Sequence, residues 1–119
     1  MSDFDPATFE TINVEIRNNV CWVTLDRPQA MHAFDQQMQD EIRSTWRALR
    51  SIDDVHVAVL TATGDRAFCV GIDRTQDMSA LESDGKLYGT SNNFMYDDPG
   101  DDLGPKSCDL WKPVVAAVN

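Results

Sequence analysis

Hydrophobic and polar residues alternate from residue 11 to residue 17, which is the period of a strand with one buried face. A second run, residues 20–25, is rich in β-branched and aromatic side chains. Between the two runs, Asn18 and Asn19 can adopt positive φ angles and form a tight turn. The pattern therefore predicts a β-hairpin over residues 11–25.

The period then changes, because apolar residues recur every three or four positions from Met38 to Ile52. This spacing predicts an amphipathic helix of about five turns. Asp35 precedes the first apolar position and is a suitable N-cap. We interpret the apolar face as core packed on a sheet, in preference to a groove for a partner.

Two further apolar runs predict strands. Residues 55–61 are almost all apolar or β-branched, which is typical of a parallel strand buried on both faces. Residues 114–118 follow Pro113 and predict another buried strand, after a helical turn at 107–111. This predicted buried strand is followed by a single residue, whereas chain termini usually lie at the surface. We therefore expect the chain to be a fragment or to be completed by a second polypeptide.

Charge is concentrated in one segment of the 119 residues. The net charge is −10, and residues 82–109 hold half of it, with seven acidic residues and two lysines. We predict a flexible segment over residues 1–10, a folded unit over 11–119, and an acidic loop insertion over about 82–105. The loop is interpreted either as a solvated surface loop or as a lid beside a binding pocket.

Composition excludes several classes of function. A pI of about 4.3 argues against nucleic-acid binding, because phosphate contacts need a basic surface. No apolar run is long enough to cross a membrane. The three cysteines are far apart, so we predict no metal site and reduced thiols in a cytoplasmic protein. Cys69, His32 and His56 are interpreted as structural residues.

Three segments occur in an order that points to a family. They read VTLDRP at 23–28, AFCVGID at 67–73 after the strand VAVLT, and KPVVAAVN at 112–119. Together they resemble the N-terminal part of the crotonase (enoyl-CoA hydratase/isomerase) family. The resemblance covers residues 11–119 except the acidic insertion. It implies an α/β fold, the crotonase-like spiral of ββα turns, of which this chain holds an incomplete, N-terminal part.

The resemblance also implies a chemistry. Family members bind an acyl-CoA thioester and stabilise an enolate-like oxyanion with two backbone N–H groups. In this chain the first donor is expected to be the N–H of Ile72, and Gly71 is expected to let the backbone approach the ligand. The side chain of Ile72 would narrow the acyl pocket. The second donor and the two acid/base glutamates are expected beyond residue 119.

The family resemblance also implies which residues of this chain contact coenzyme A, and they lie in the backbone and loops around these motifs. The residues implied are Gln29, Ala30, Val70, Ile72 and Asp73, and Arg27, Arg66 and Arg74 are candidates for a phosphate contact. Asp73 is interpreted as a cap of the following helix or as a ligand contact, and both roles can hold at once. The family's frequent Asn-Ala pair appears here as His32-Ala33. Coenzyme A would be part of the substrate, and no separate cofactor is expected.

Two functions remain open from the sequence. The first is an enoyl-CoA hydratase/isomerase-like lyase of fatty acid metabolism, with the catalytic glutamates expected beyond residue 119. The second is a truncated, non-catalytic CoA-binding or interaction module. The family resemblance implies a homo-oligomer, a trimer or hexamer, and a complementary C-terminal chain is a further candidate partner. Nucleic acid and membrane are not expected as partners.

Overall fold

A computed structural model describes residues 4–75 and 103–119. In chain order its regular elements are β1 (Ile12–Arg17), β2 (Val20–Leu25), α1 (Gln36–Leu49), β3 (Val57–Ala62) and β4 (Val114–Ala116). The four strands form one sheet in the order β1-β2-β3-β4. β1 is antiparallel to β2, whereas β3 runs parallel to both β2 and β4. The strand–helix–strand order of β2, α1 and β3 accounts for the parallel pairing, since a crossover is needed to start the next strand in the same direction.

The hairpin formed by β1 and β2 confirms the first prediction. Ile12 is paired with Leu25 at one end and Arg17 with Val20 at the other. Asn18 and Asn19 have φ angles of 53° and 65°, respectively. Two successive residues with positive φ match the right-handed twist of the strands, and asparagine tolerates this conformation better than most residues.

Helix α1 also begins where the sequence predicts. The side chain of Asp35 accepts a hydrogen bond of 2.9 Å from the N–H of Met38, which satisfies one of the free donors of the first turn. The helix ends at Leu49 and is capped by Arg50, so the prediction that it extends to Ile52 was wrong. Ile52 lies beyond the helix and still packs against the core.

The core lies between the apolar face of α1 and one face of the sheet. Met38 and Trp46 of the helix and Val23 of β2 are fully buried. Each such side chain contributes roughly 1.5–3 kcal/mol by leaving water. The indole Nε1 of Trp46 donates to the backbone oxygen of Leu103 at 2.9 Å, which ties residues 103–110 to the helix. Apolar side chains of α1 and of the sheet thus pack together, and the Trp46 hydrogen bond adds residues 103–110 to this contact.

Two predictions of burial were wrong. In β3, Ala58 and Ala62 are buried but the other residues are only half-buried, so the strand is not buried on both faces. Residues 114–118 form a strand only at Val114–Ala116, and Val115 is 52% exposed. The helix covers one face of the sheet, and no described residue pairs with the outer edge of β4. An apolar run alone does not reveal whether both faces have a neighbour.

The remaining predictions lie partly outside the described residues. In the segment 4–10, residues Pro6–Thr8 form a 3₁₀ turn and Phe9 packs against the core. The predicted helical turn is present as a 3₁₀ turn at Lys106–Cys108. Most of the acidic loop of 82–105 lies outside the described residues, and the division into residues 1–10 and 11–119 stays a prediction. Within residues 4–75 and 103–119, no helix is both long and apolar enough to span a bilayer.

Candidate functional site

Two loops meet at one edge of the sheet and form the candidate site. One loop, residues 26–35, follows β2, and the other, residues 63–75, follows β3. Because β2 and β3 are parallel, their carboxyl ends lie at the same edge, where ligands commonly bind in sheets of this kind. The site is thus built by residues that are distant in sequence.

A short backbone bridge joins the two loops. The N–H of Phe34 donates to the carbonyl oxygen of Gly71 at 2.9 Å, and the N–H of Asp73 donates to the carbonyl oxygen of Phe34 at 2.8 Å. Ile72 lies between these two bonds and forms an isolated parallel bridge with Phe34. This arrangement, here called the Phe34–Ile72 bridge, fixes the backbone on both sides of Ile72.

The bridge also sets the direction of the Ile72 amide. In extended backbone, successive N–H and C=O groups point to opposite sides. Since Gly71 and Asp73 bond towards Phe34, the N–H of Ile72 points away from it. No residue in the described parts of the chain accepts a hydrogen bond from this N–H. Its role as the first oxyanion donor stays a prediction.

Gly71 makes this geometry possible through its conformation. Its φ is +109°, a value that residues with a Cβ atom rarely adopt. A Cβ added at Gly71 would meet no described protein atom within 4 Å, so packing within the described part of the chain does not require glycine. Close approach to a ligand stays a prediction. The residue is required because the backbone turns sharply there, immediately before the bridge.

Arg27 binds both loops at the bridge. Its guanidinium donates to the carbonyl oxygen of Ala33 at 2.5 Å and to the carboxylate of Asp73 at 3.1 Å. It also lies 3.7 Å from the carboxylate of Asp35. The side chain is only 15% exposed. The guanidinium thus contacts the residues on either side of Phe34 and the residue after Ile72.

Asp73 uses both carboxylate oxygens within the protein. Oδ1 accepts from the N–H of Thr75 at 2.9 Å and from its hydroxyl at 2.6 Å, and Oδ2 accepts from Arg27. The two bonds from Thr75 lower the pKa of Asp73 most, and Arg27 lowers it further, so the side chain is ionised at neutral pH. Of the two interpretations of Asp73, these contacts favour the cap of the following residues. A contact with coenzyme A stays a prediction.

His32 explains the departure from the family's Asn-Ala pair. Its φ is +58°, a conformation in which both asparagine and histidine are more common than other residues with side chains. The ring is buried, Nδ1 accepts from the N–H of Arg27 at 3.0 Å, and Nε2 lies 2.9 Å from the carbonyl oxygen of Thr63. With Nδ1 as acceptor, the partner of Nε2 is an oxygen, and Nε2 is the ring nitrogen that donates. His32 is structural, as predicted, and it links the two loops.

The other predicted contacts lie around the bridge without entering it. Gln29 is exposed and Ala30 half-buried, both in the 3₁₀ turn Pro28–Ala30 that follows Arg27. Val70 is 56% exposed beside Gly71. Arg66 and Arg74 are exposed, and neither forms an ion pair with a described residue. Their contacts with coenzyme A stay predictions.

Phe34 is the residue of the site that sequence reasoning missed. It contributes only backbone atoms to the bridge, and a backbone role leaves no mark on residue type. The only signal in the sequence is its position directly before the helix cap Asp35. That position predicts extended backbone but not the partner of that backbone.

Another surface cleft lies away from the candidate site. A cleft of about 660 Å³ lies between residues 4–9 and the outer side of α1, lined in part by Phe4, Arg43 and Arg47. It is open to solvent and shares no residue with the bridge. In the described parts of the chain, no three acidic, histidine or cysteine side chains are grouped as a metal site would need.

Comparison with known proteins identifies the family. The sequence profile of the enoyl-CoA hydratase/isomerase family matches residues 15–119. The chain is 32% identical to (E)-benzylidenesuccinyl-CoA hydratase of Thauera aromatica over 108 residues, which are 91% of this chain and 39% of the relative. It is 29% identical to carnitinyl-CoA dehydratase of Proteus mirabilis, covering 92% of this chain and 38% of that protein.

Solved structures give the same result for the fold. An enoyl-CoA hydratase/isomerase from Mycobacterium paratuberculosis superimposes with a TM-score of 0.70 at 30% identity, over 94% of this chain and 39% of that one. The structure of OdaA from Pseudomonas aeruginosa superimposes with a TM-score of 0.68 at 27% identity. The chain therefore spans about two fifths of the length of the relatives it matches, and the predicted crotonase-like α/β fold is confirmed for this part. The chain belongs to the enoyl-CoA hydratase/isomerase family.

Proposed function

We propose that this chain supplies the first backbone donor of an oxyanion hole to an acyl-CoA-processing enzyme of the hydratase/isomerase class. The observation that carries the proposal is the N–H of Ile72, which the Phe34–Ile72 bridge directs away from Phe34. The names of matched relatives include a hydratase, a dehydratase and a crotonyl-CoA hydratase, all acting on CoA thioesters. The substrate class proposed is accordingly an acyl-CoA thioester.

The chemistry follows from where charge develops. Addition of water to a double bond conjugated with a thioester, or movement of that double bond, places negative charge on the thioester oxygen. A fixed N–H aimed at that oxygen stabilises the charge without having to reorient during the reaction. Gly71 and the bridge hold the Ile72 amide in place before the substrate arrives. This pre-organisation is the contribution that we assign to the chain.

Proton transfer is assigned to residues outside the described ones. Among residues 4–75 and 103–119 the glutamates are Glu10, Glu15 and Glu41. Glu41 is buried and accepts hydrogen bonds from Glu10, Thr11 and Gln37. Glu10 accepts from Gln37, and Glu15 pairs with Arg17 on β1. None of these bonds reaches the bridge. We therefore assign to the described part of the chain the polarisation of the carbonyl, and the acid and base to other residues.

This distribution of roles favours a second candidate function as well. A protein that binds the thioester without an acid and a base in reach of it would be a non-catalytic CoA-binding or interaction module. The two candidates differ in one measurable property, because the enzyme consumes crotonyl-CoA and the module only binds it. A homo-oligomer and a cytoplasmic location stay predictions of the family resemblance.

The proposal is tested by the difference in affinity between an acyl-CoA and free CoA. Free CoA has a thiol in place of the thioester and therefore no carbonyl oxygen for the Ile72 amide. We expect the chain to bind butyryl-CoA more tightly than CoA in titration calorimetry. Ile72→Pro removes the N–H and should abolish that difference, whereas Ile72→Val keeps the N–H and should preserve it. In any active enzyme that contains this segment, Ile72→Pro should lower turnover of crotonyl-CoA about 10²- to 10³-fold.

Proline is a fair test because the N–H of Ile72 makes no bond to a described residue that the substitution would break. Circular dichroism and thermal melting verify that the variant folds. A folded Ile72→Pro variant whose preference for butyryl-CoA over CoA is as large as that of the unmodified chain would show that the Ile72 N–H does not contribute to the preference. That result would refute the proposal.

A further inference from the structure

Arg27 contacts both chain segments of the Phe34–Ile72 bridge, and these contacts have a common geometry. Nη1 donates to the carbonyl oxygen of Ala33, the residue before Phe34. Nη2 donates to the carboxylate of Asp73, the residue after Ile72. The two partners are 6 and 46 residues away from Arg27 in sequence. One planar guanidinium therefore holds two loops at the level of the bridge.

The surroundings make this contact stronger than an ordinary surface ion pair. The side chains of Arg27 and Asp73 are only 15% and 11% exposed. Reduced contact with water raises the strength of charge-assisted hydrogen bonds, whereas fully exposed pairs contribute little. Asp35, which caps helix α1, lies 3.7 Å away and adds a second carboxylate. The guanidinium thus lies beside one backbone carbonyl and two carboxylates of the protein.

The backbone of Arg27 is fixed as well. Its N–H donates to Nδ1 of His32, and its carbonyl oxygen accepts from the N–H of His32 at 2.9 Å. The Nε2 of His32 bonds to Thr63, in the loop after β3. Both ends of Arg27 are therefore connected to both loops, which leaves its side chain little freedom to turn towards a ligand.

We propose that Arg27 is a positioning residue, which acts through Asp73 and Ala33 to hold the Ile72 N–H in the orientation that receives a thioester oxygen. This differs from the phosphate contact that the family resemblance suggests for Arg27. A phosphate-binding arginine turns its donors towards solvent, whereas this guanidinium is only 15% exposed and donates to the carbonyl oxygen of Ala33 and the carboxylate of Asp73. The thioester ligand in this inference comes from the proposed function. The geometry of Arg27 is independent of that function.

The test uses Arg27→Lys and compares it with Arg43→Lys. Lysine retains the positive charge but has one nitrogen in place of the planar fork whose two nitrogens bond Ala33 and Asp73. Arg43 is a suitable control because it is also a partly buried arginine, 20% exposed, which pairs with Asp40 on α1 away from the bridge. The first readout is amide hydrogen exchange by NMR in the ligand-free chain. We expect exchange at Phe34 and Asp73, the two bridge donors, to be about tenfold faster in Arg27→Lys and unchanged in Arg43→Lys.

The second readout separates positioning from a phosphate contact. A positioning role predicts that Arg27→Lys weakens binding of butyryl-CoA about tenfold and leaves the affinity for CoA unchanged. A phosphate contact predicts that both affinities fall by the same factor, because both ligands carry the same phosphates. An equal loss for the two ligands, or unchanged exchange at Phe34 and Asp73, would overturn the inference.

A second variant covers the case in which Arg27→Lys does not fold. Asp73→Asn removes the negative charge facing Arg27 and keeps an oxygen that accepts from Thr75. It should produce the same pattern in both readouts. If the unmodified chain binds neither ligand, the proposed function fails, and the exchange rates at Phe34 and Asp73 still decide whether Arg27 positions the bridge.

Discussion

The contact between α1 and the sheet and the Phe34–Ile72 bridge are held together by different forces. At the helix, Met38, Trp46 and Leu49 are completely buried, and the contact is mostly apolar. At the bridge, order comes from directional hydrogen bonds and from positive φ angles at His32 and Gly71. Apolar packing is tolerant of small changes in geometry, whereas a hydrogen-bonded turn is not.

The difference teaches which changes should affect stability and which should affect ligand recognition. Substitutions in the helix contact remove buried area and lower the free energy of unfolding of the whole chain. Substitutions at the bridge alter the direction of one peptide group and have a smaller effect on stability. Phe34 belongs to the core and Ile72 packs against it, so the two regions are in contact. If they nevertheless respond independently, their variants should fall into two groups.

The largest effect on stability is expected from Trp46→Ala. The substitution leaves a cavity beneath the sheet and leaves the carbonyl oxygen of Leu103 without its indole donor. We expect the free energy of unfolding to fall by about 3–5 kcal/mol, measured by urea denaturation. Trp111 is 89% exposed and provides the control, since Trp111→Ala should change stability by less than about 0.5 kcal/mol. Similar losses in both variants would mean that α1 is not packed as described.

The second prediction concerns the pH dependence of the free energy of unfolding, through a thiol in the core. Burial raises the pKa of the Cys21 thiol from 9.0 to about 11. Because the folded chain binds this proton more tightly than the unfolded chain, the contribution is complete below pH 9 and is lost as the pH rises to about 11. The loss should be about 2–3 kcal/mol.

Two alanine variants isolate this loss from the titration of other groups. Cys21→Ala should lack it, whereas Cys69→Ala should retain it, because Cys69 is only half-buried and lies outside the sheet. The measurement is urea denaturation at neutral pH and again above pH 9. An identical alkaline loss in Cys21→Ala and in the unmodified chain would show that the thiol is not buried.

The smallest effect on stability is expected from alanine substitutions at two glycines. Comparing them shows whether backbone strain in general, or strain at the site alone, affects ligand recognition. Gly64 and Gly71 have φ angles of +78° and +109°, and neither has an atom within 4 Å of an added Cβ. Alanine at either position should therefore lower the free energy of unfolding by about 1–2 kcal/mol, through backbone strain alone. Only Gly71→Ala should reduce the preference for butyryl-CoA over CoA. A loss of preference in Gly64→Ala as well would mean that general stability, and not the Ile72 peptide, determines recognition.

Local signals explain the part of the fold that the sequence predicts. Asn18-Asn19 between two alternating runs specifies the hairpin, and Asp35 before an apolar period specifies the start of α1. Exposure of Val115 was not predictable, because an apolar strand looks the same whether or not another layer covers it. Burial depends on neighbours, and neighbours are not encoded in the run itself.

The same distinction applies to the candidate site. Gly71 and Ile72 were predicted from the family motif, and the structure shows why glycine is needed there. The pairing of Arg27 with Asp73 joins residues 46 positions apart, and neither residue type specifies the other as its partner. Phe34 takes part through its backbone only. Long-range contacts and backbone roles are therefore the parts of the site that required the structure.

The central claim is that the Ile72 N–H polarises a thioester carbonyl, and vibrational spectroscopy of the bound ligand tests it most directly. A hydrogen bond to the carbonyl oxygen lowers its stretching frequency. The difference between spectra with carbon-12 and carbon-13 at the carbonyl isolates this band from the protein amides, which are the same in both. We expect butyryl-CoA labelled in this way to show a lower carbonyl frequency when bound to the unmodified chain or to Ile72→Val than in water. Bound to Ile72→Pro, it should show no such lowering. An equal lowering with a folded Ile72→Pro variant would contradict the account.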